Sequence, residues 1–126
     1  MEVSGNIIDA WLQHPNRGFI GHPMFESLRR WMGMSDDAIT DIPPEFTIAA
    51  MDQAGVRQAL VCAWWGPGGP IISNDEVAVL VQRFPDRFIG VGSVNLFKPV
   101  EAVRELRRCV RDLGFRGLRM LPWLWN

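Results

Sequence analysis

The sequence predicts an α/β fold of parallel β/α units with four strands, on three observations. Short apolar runs recur along the chain, each bounded by glycine or proline. Amphipathic segments of helical period lie between them, and polar residues follow where the runs end. Strands separated by helices pair in parallel through right-handed crossovers. Four such strands fit either an open sheet or half of a closed eight-stranded barrel. The chain has 126 residues, enough for one domain with its own core, spanning 1–126.

The first strand lies in Asn6-Ile7-Ile8-Asp9-Ala10-Trp11-Leu12-Gln13-His14-Pro15, an apolar run that turns polar at its carboxyl end. A long connection follows, from Leu12 to about Ile42 (12–42). A structureless loop of that length is uncommon in a compact domain, so it should carry structure of its own. Met24, Leu28 and Trp31 fall at i, i+4 and i+7 after Pro23, which predicts a helix over 23–31. The segment reads as a lid-like excursion over the end of the first strand. Pro43-Pro44 opens a helix to about Ala54 with Phe46, Ala49 and Ala50 as its apolar stripe and Gly55 as its stop. Gln58 to Ala63 is continuously apolar after its first residue, as a parallel strand covered on both faces should be.

Trp64 to Pro70 is loop by its glycine and proline content. Ser73-Asn74-Asp75-Glu76 is a capping box, and Val77, Leu80, Val81 and Phe84 give the stripe of the helix it opens. Pro85-Asp86-Arg87 turns into a third strand, Phe88 to Val94. Pro99 starts the next helix, striped by Val100, Val103, Leu106, Val110 and Leu113 and closed by Gly114. The fourth strand is Gly117 to Leu121.

Composition excludes several functions. The net charge is −1, which gives no footprint for nucleic acid or an anionic membrane. No apolar run approaches the ~20 residues that span a bilayer, and the N-terminus lacks the pattern of a signal peptide. Two cysteines, Cys62 and Cys109, fit neither a disulfide framework nor a zinc ribbon, and the expectation is a cytoplasmic protein with reduced thiols. Gly90-Val91-Gly92-Ser93-Val94-Asn95 lacks the third glycine of a dinucleotide fingerprint, and its helix starts late. Gly66 to Pro70 lacks the Lys-Ser/Thr of a phosphate loop. No Ser-His-Asp or Cys-His set is arguable.

Five stretches together carry a resemblance. They are Ile8-Asp9, Met51-Asp52-Gln53-Ala54-Gly55-Val56, Asn74, Pro85-Asp86-Arg87-Phe88-Ile89-Gly90-Val91, and Glu105-Leu106 through Gly114-Phe115-Arg116-Gly117-Leu118. In these the chain resembles the N-terminal half of the amidohydrolase-related metal-dependent hydrolases, the group with aminocarboxymuconate-semialdehyde decarboxylase-like enzymes. The resemblance implies half of a TIM-type (β/α)8 barrel. It also implies hydrolysis or non-oxidative decarboxylation of a small carboxylate-bearing or cyclic substrate, and a divalent metal, zinc or similar, at the barrel mouth. The family pattern places His-x-His two residues after the strand-one Asp, and here those positions hold Trp11 and Gln13.

The candidate site residues follow. His14 sits one residue beyond that pattern, as a metal ligand, a proton carrier or an ordinary loop histidine. His22 precedes a helix start and reads as a cap. Asp9 orients a neighbour or binds metal. Trp64-Trp65 and the pair Trp123 and Trp125, just past strands two and four, face one mouth and with Trp11 offer aromatic wall for a flat substrate, or contact with the absent half or a partner. Arg119, inside strand four, holds a substrate carboxylate if it points inward and pairs with a helix if it points outward. Half a barrel leaves open edges, so the partner is either the missing C-terminal half or a second copy. Two functions stay open. One is an enzyme of hydrolase or decarboxylase ancestry, of which this chain alone is an inactive part. The other is a non-catalytic α/β dimerisation or binding module of the same descent.

Overall fold

The computed structural model describes residues 5–125. Strands β1 (Ile7–Leu12), β2 (Val56–Cys62), β5 (Phe88–Gly92) and β6 (Gly117–Leu118) form one curled sheet in the order β1-β2-β5-β6, every pair parallel. Successive strands are neighbours in chain order, as in half of a closed barrel. Helices α3 (Pro44–Ala54), α4 (Asn74–Arg83) and α5 (Pro99–Arg111) make the crossovers. Residue Gly55, at φ 71°, ends α3 in the left-handed conformation and turns the chain straight into β2.

The core lies between sheet and helices. Ala59, Val61 and Ala63 alternate toward the helices and meet Met51, Val77, Leu80, Cys109 and Phe115. Phe115 fills the place a side chain at position 90 would take, since a Cβ on Gly90 would fall within its ring. The capping box at Ser73 is present in both directions. Asn74 is buried and joins α4 to the end of β5. Its amide nitrogen donates to the Ser93 carbonyl at 2.8 Å, and its oxygen accepts from the Ser93 N–H at 2.9 Å.

Several elements depart from the sequence expectation. The stretch after β2 is not a loop: β3 (Trp64–Gly66) and β4 (Gly69–Ile72) form an antiparallel hairpin, with Pro67-Gly68 supplying its turn. The apolar stripe expected on α3 is turned outward. Phe46, Ala49 and Ala50 are exposed, and Thr47 and Met51 are buried. A hydrogen bond between the Thr47 hydroxyl and His14 Nδ1 holds that polar face inward. On α5, Val100, Val103 and Val110 are exposed and Cys109 is buried. The inward face of this helix is set by Glu105, which accepts from Asn74 at 2.9 Å. Strand β6 is shorter than expected; the chain turns into a 3-10 turn at Pro122–Leu124.

The connection after β1 holds α1 (Arg17–Ile20), a 3-10 turn at Pro23–Phe25, α2 (Glu26–Trp31) and a second 3-10 turn at Asp36–Ala38. The single helix expected over 23–31 is therefore split, and Leu28 and Trp31 point to solvent. Phe19 and Phe25 attach the segment instead, packing on each other at 4.7 Å and on the Trp64 ring at 5.2 and 5.9 Å. Asn16 fastens it to α4 by donating to Glu76 at 2.8 Å.

Candidate functional site

Chemistry in parallel β/α sheets gathers beyond the carboxyl ends of the strands. There the fold brings together residues from three strands. Trp11 and Gln13, two positions apart, leave the end of β1; Cys62 closes β2 and Trp64 follows it; Arg119 follows β6. The Arg119 backbone N–H donates to the Gly92 carbonyl at 2.8 Å, extending the β5–β6 pairing by one step and fixing where the side chain starts.

That side chain is only 6% exposed. Its guanidinium lies between two indoles, 3.7 Å from the Trp11 ring centroid and 4.6 Å from that of Trp64. Such stacking is favourable because the ring face is electron-rich, more so where water is excluded. With the Gln13 amide oriented to match its neighbours, its oxygen accepts from Trp11 Nε1 at 2.8 Å and from both terminal nitrogens of Arg119. Burial pushes the Cys62 thiol up, opposed by Arg119; burial pulls Arg119 down, opposed by Cys62. A guanidinium nonetheless remains protonated at neutral pH.

Among the described residues no carboxylate pairs with Arg119, although every other ion pair uses an arginine or lysine on the surface or at the sheet's edge. Among the described residues, the buried side-chain nitrogens without a partner are Arg119 Nε, Trp64 Nε1 and Trp65 Nε1. All three are donors that cannot accept. Each buried donor left unpaired costs about 1–3 kcal/mol. The end of the sheet thus carries fixed positive charge and a spare N–H on Arg119, with the neutral Gln13 oxygen as acceptor and no carboxylate among the described residues.

The other expected site residues lie elsewhere. The His14 ring is bonded at both nitrogens, Nε2 to the Ile42 carbonyl and Nδ1 to the Thr47 hydroxyl, each at 2.8 Å. It lines a cavity of about 280 Å³ with Asp41, Ile72 and Glu76, apart from the Arg119 cluster. Trp65 donates its backbone N–H to Ser93 Oγ at 3.1 Å, and Trp123 is 62% exposed; neither ring stacks on the guanidinium. His22 caps its turn by accepting from Met24 N. A second cavity, about 310 Å³, lies between the β3–β4 turn, Met24 and Leu124, and does not include Arg119.

A divalent metal does not fit the tip of β1. An indole N–H offers no lone pair, and the Gln13 oxygen already accepts from Trp11 and Arg119. One Asp9 oxygen accepts from the Trp11 backbone N–H at 2.9 Å. Among the described residues no group of three His, Cys, Asp or Glu is placed to hold an ion. Nor is any helix there long and apolar enough to cross a membrane.

Comparison with known proteins agrees with the architecture. The sequence profile of the amidohydrolase family matches residues 8–125. Over 47 residues the chain is 40% identical to 2-amino-3-carboxymuconate-6-semialdehyde decarboxylase of Dictyostelium discoideum, covering 37% of this chain and 13% of that protein. An uncharacterized TIM-barrel protein from Bordetella bronchiseptica superposes with a TM-score of 0.70 and 26% identity, over 95% of this chain and 45% of its own. So does 5-carboxyvanillate decarboxylase from Novosphingobium aromaticivorans, solved with manganese and 4-hydroxy-3-methoxy-5-nitrobenzoic acid, with a TM-score of 0.66 and 26% identity. That match covers 93% of this chain and 42% of the decarboxylase. The chain therefore spans less than half the length of the structures it matches.

Proposed function

The chain belongs to the amidohydrolase family, and from that premise we propose that it forms the first half of a barrel that binds a small, planar carboxylic acid. The parent activity is that of a hydrolase or non-oxidative decarboxylase. The observation that carries this reading is Arg119, which is buried, charged and without a carboxylate partner among the described residues. A charge in that setting is costly unless an anion completes it. A carboxylate is acceptor-only and matches the unpaired Nε–H of Arg119 itself. The indoles of Trp11 and Trp64 lie against the guanidinium and give apolar surface beside it.

In this reading the chain's residues bind and orient. Arg119 holds the acid group, the Gln13 oxygen keeps the guanidinium in place, and the tryptophans exclude water. Trp65 and Trp123 belong to the outer wall of the same mouth. His14 serves to hold the connection after β1 against α3. The open edges of the sheet, β1 and β6, are covered by a C-terminal half or by a second copy, and catalysis needs that completion.

Titration of 4-hydroxy-3-methoxy-5-nitrobenzoate against the protein by calorimetry tests the reading. Saturable binding is expected, weakened about tenfold or more by Arg119→Met, since a charge-assisted pair is worth about 1.5–3 kcal/mol. Its methyl ester should bind no better than the variant binds the acid. Equal affinity for acid and ester would remove Arg119 from the site. The rival reading, a non-catalytic module of the same ancestry, draws on Trp11 and Gln13 in place of two histidines. Turnover of the acid by the purified protein would exclude it.

A further inference from the structure

We propose that the Arg119 guanidinium takes the place of a metal ion at the tip of β1, so that an acid bound there is bound without any divalent cation. The identity of the bound acid rests on the function proposed above. The exclusion of metal does not.

Four features of the chain's own residues carry the inference. The guanidinium is a permanent cation wedged against Trp11 at 3.7 Å and Trp64 at 4.6 Å, so a second cation entering beside it meets repulsion in a poorly hydrated place. The side chains of Trp11 and Gln13 are committed to that wedge, one as donor and the other as acceptor. The imidazole next in sequence, His14, spends both nitrogens on Ile42 and Thr47, and moving it would break two hydrogen bonds of 2.8 Å. Asp9 alone among the β1 residues is of a ligand type, and a lone carboxylate does not hold an ion against solvent.

The substitution also preserves a mechanical role. A coordinated ion ties together strand tips by bonding ligands from several strands. Here one side chain from the end of β6 reaches residues from β1 and from beyond β2, and ties the same ends by stacking and hydrogen bonds. A guanidinium suits this work because it is flat, always charged and weakly hydrated.

The test is metal uptake by the purified protein, incubated with excess manganese or zinc and then desalted. Elemental analysis should find well under one ion per chain, and neither ion should raise the thermal midpoint. Calorimetric binding of 4-hydroxy-3-methoxy-5-nitrobenzoate should be unchanged by EDTA. One tightly held ion per chain, with a raised midpoint, overturns the inference, as does acid binding that EDTA abolishes and manganese restores. Absence of both metal and acid binding would leave the metal exclusion standing and remove the acid, so the two readings fail separately.

Discussion

Arg87 and Arg119 sit at opposite ends of the same sheet, and the more buried of the two is the less well partnered. Arg87, just before β5, donates to Asp52 at 2.7 Å, to the Arg57 carbonyl at 2.8 Å and to the Val56 carbonyl at 3.1 Å. Its side chain is still 21% exposed. Arg119, just after β6, is more deeply enclosed and has two ring faces and an amide oxygen, with no carboxylate among the described residues. The amino end of the sheet is closed chemistry, completed within the fold. The carboxyl end is left open in charge. In β/α barrels the amino end reads as stability and the carboxyl end as function.

The largest effect should come from breaking the closed end. Arg87→Met leaves Asp52 and two carbonyls without their donor and should destabilise the protein by about 2–4 kcal/mol, measured by urea denaturation. Arg119→Met should cost less, about 1 kcal/mol, because the stacking and amide contacts it loses are partly offset by removing a buried charge that lacks a counter-ion. A loss as large as that of Arg87→Met would mean that Arg119 is a structural brace first.

Acid sharpens the same contrast. Arg108 donates to Glu105 and, with Asn74, holds that carboxyl below its usual range despite partial burial. A carboxylate with a depressed folded value stabilises the fold fully above its unfolded value. The contribution is lost as pH falls through the lower, folded value. The denaturation midpoint should therefore fall as pH drops below about 4.5, the ordinary value, and Glu105→Gln should flatten that dependence. The Arg119 cluster adds nothing to this slope. The smallest effect is at the ring. Trp11→Leu removes one cation–π face at a side chain 59% exposed, and should cost about 0.5–1 kcal/mol, largely recovered by Trp11→Phe.

The closed end was the legible one. Asp52 and Arg87 both lie in stretches that marked the resemblance, and the capping box at Ser73 followed from spacing alone. Parallel pairing followed from the alternation of helices and strands, and the half-barrel from the resemblance. The faces of α3 and α5 did not, because polar contacts at Thr47 and Glu105 decide which side turns inward, and those partners are 33 and 31 residues away. At the open end, Trp11, Gln13, Trp64 and Arg119 were visible as residues of one mouth, but the stacking of Trp64 on the guanidinium was not, nor the place of Cys62 at the same strand ends. The glycines and prolines after Trp64 hid a hairpin, and a thiol within an apolar strand reads as core. His14 shows the reverse case. It lies beside the strand tip in sequence, yet the chain leaves the sheet after Leu12 and takes the ring to Thr47.

The pairing of β1 with β2 slips between Asp9 and Leu12, where three steps on β1 span the two from Ala59 to Val61. One surplus residue thus re-phases the strand: Leu12 packs with the core while Trp11 projects from it. Strand β1 is accordingly sensitive to where its length changes. Deleting Ala10 would remove the surplus residue and leave Trp11 opposite Leu60 and Leu12 opposite Val61, whereas deleting Leu12 would bring the Gln13 amide opposite Val61 and into the core. Between α2 and α3 a deletion would shorten a largely exposed connection. Natural variation in this chain should therefore confine any gap in β1 to the bulge at positions 10–11, with most gaps collecting at 32–41.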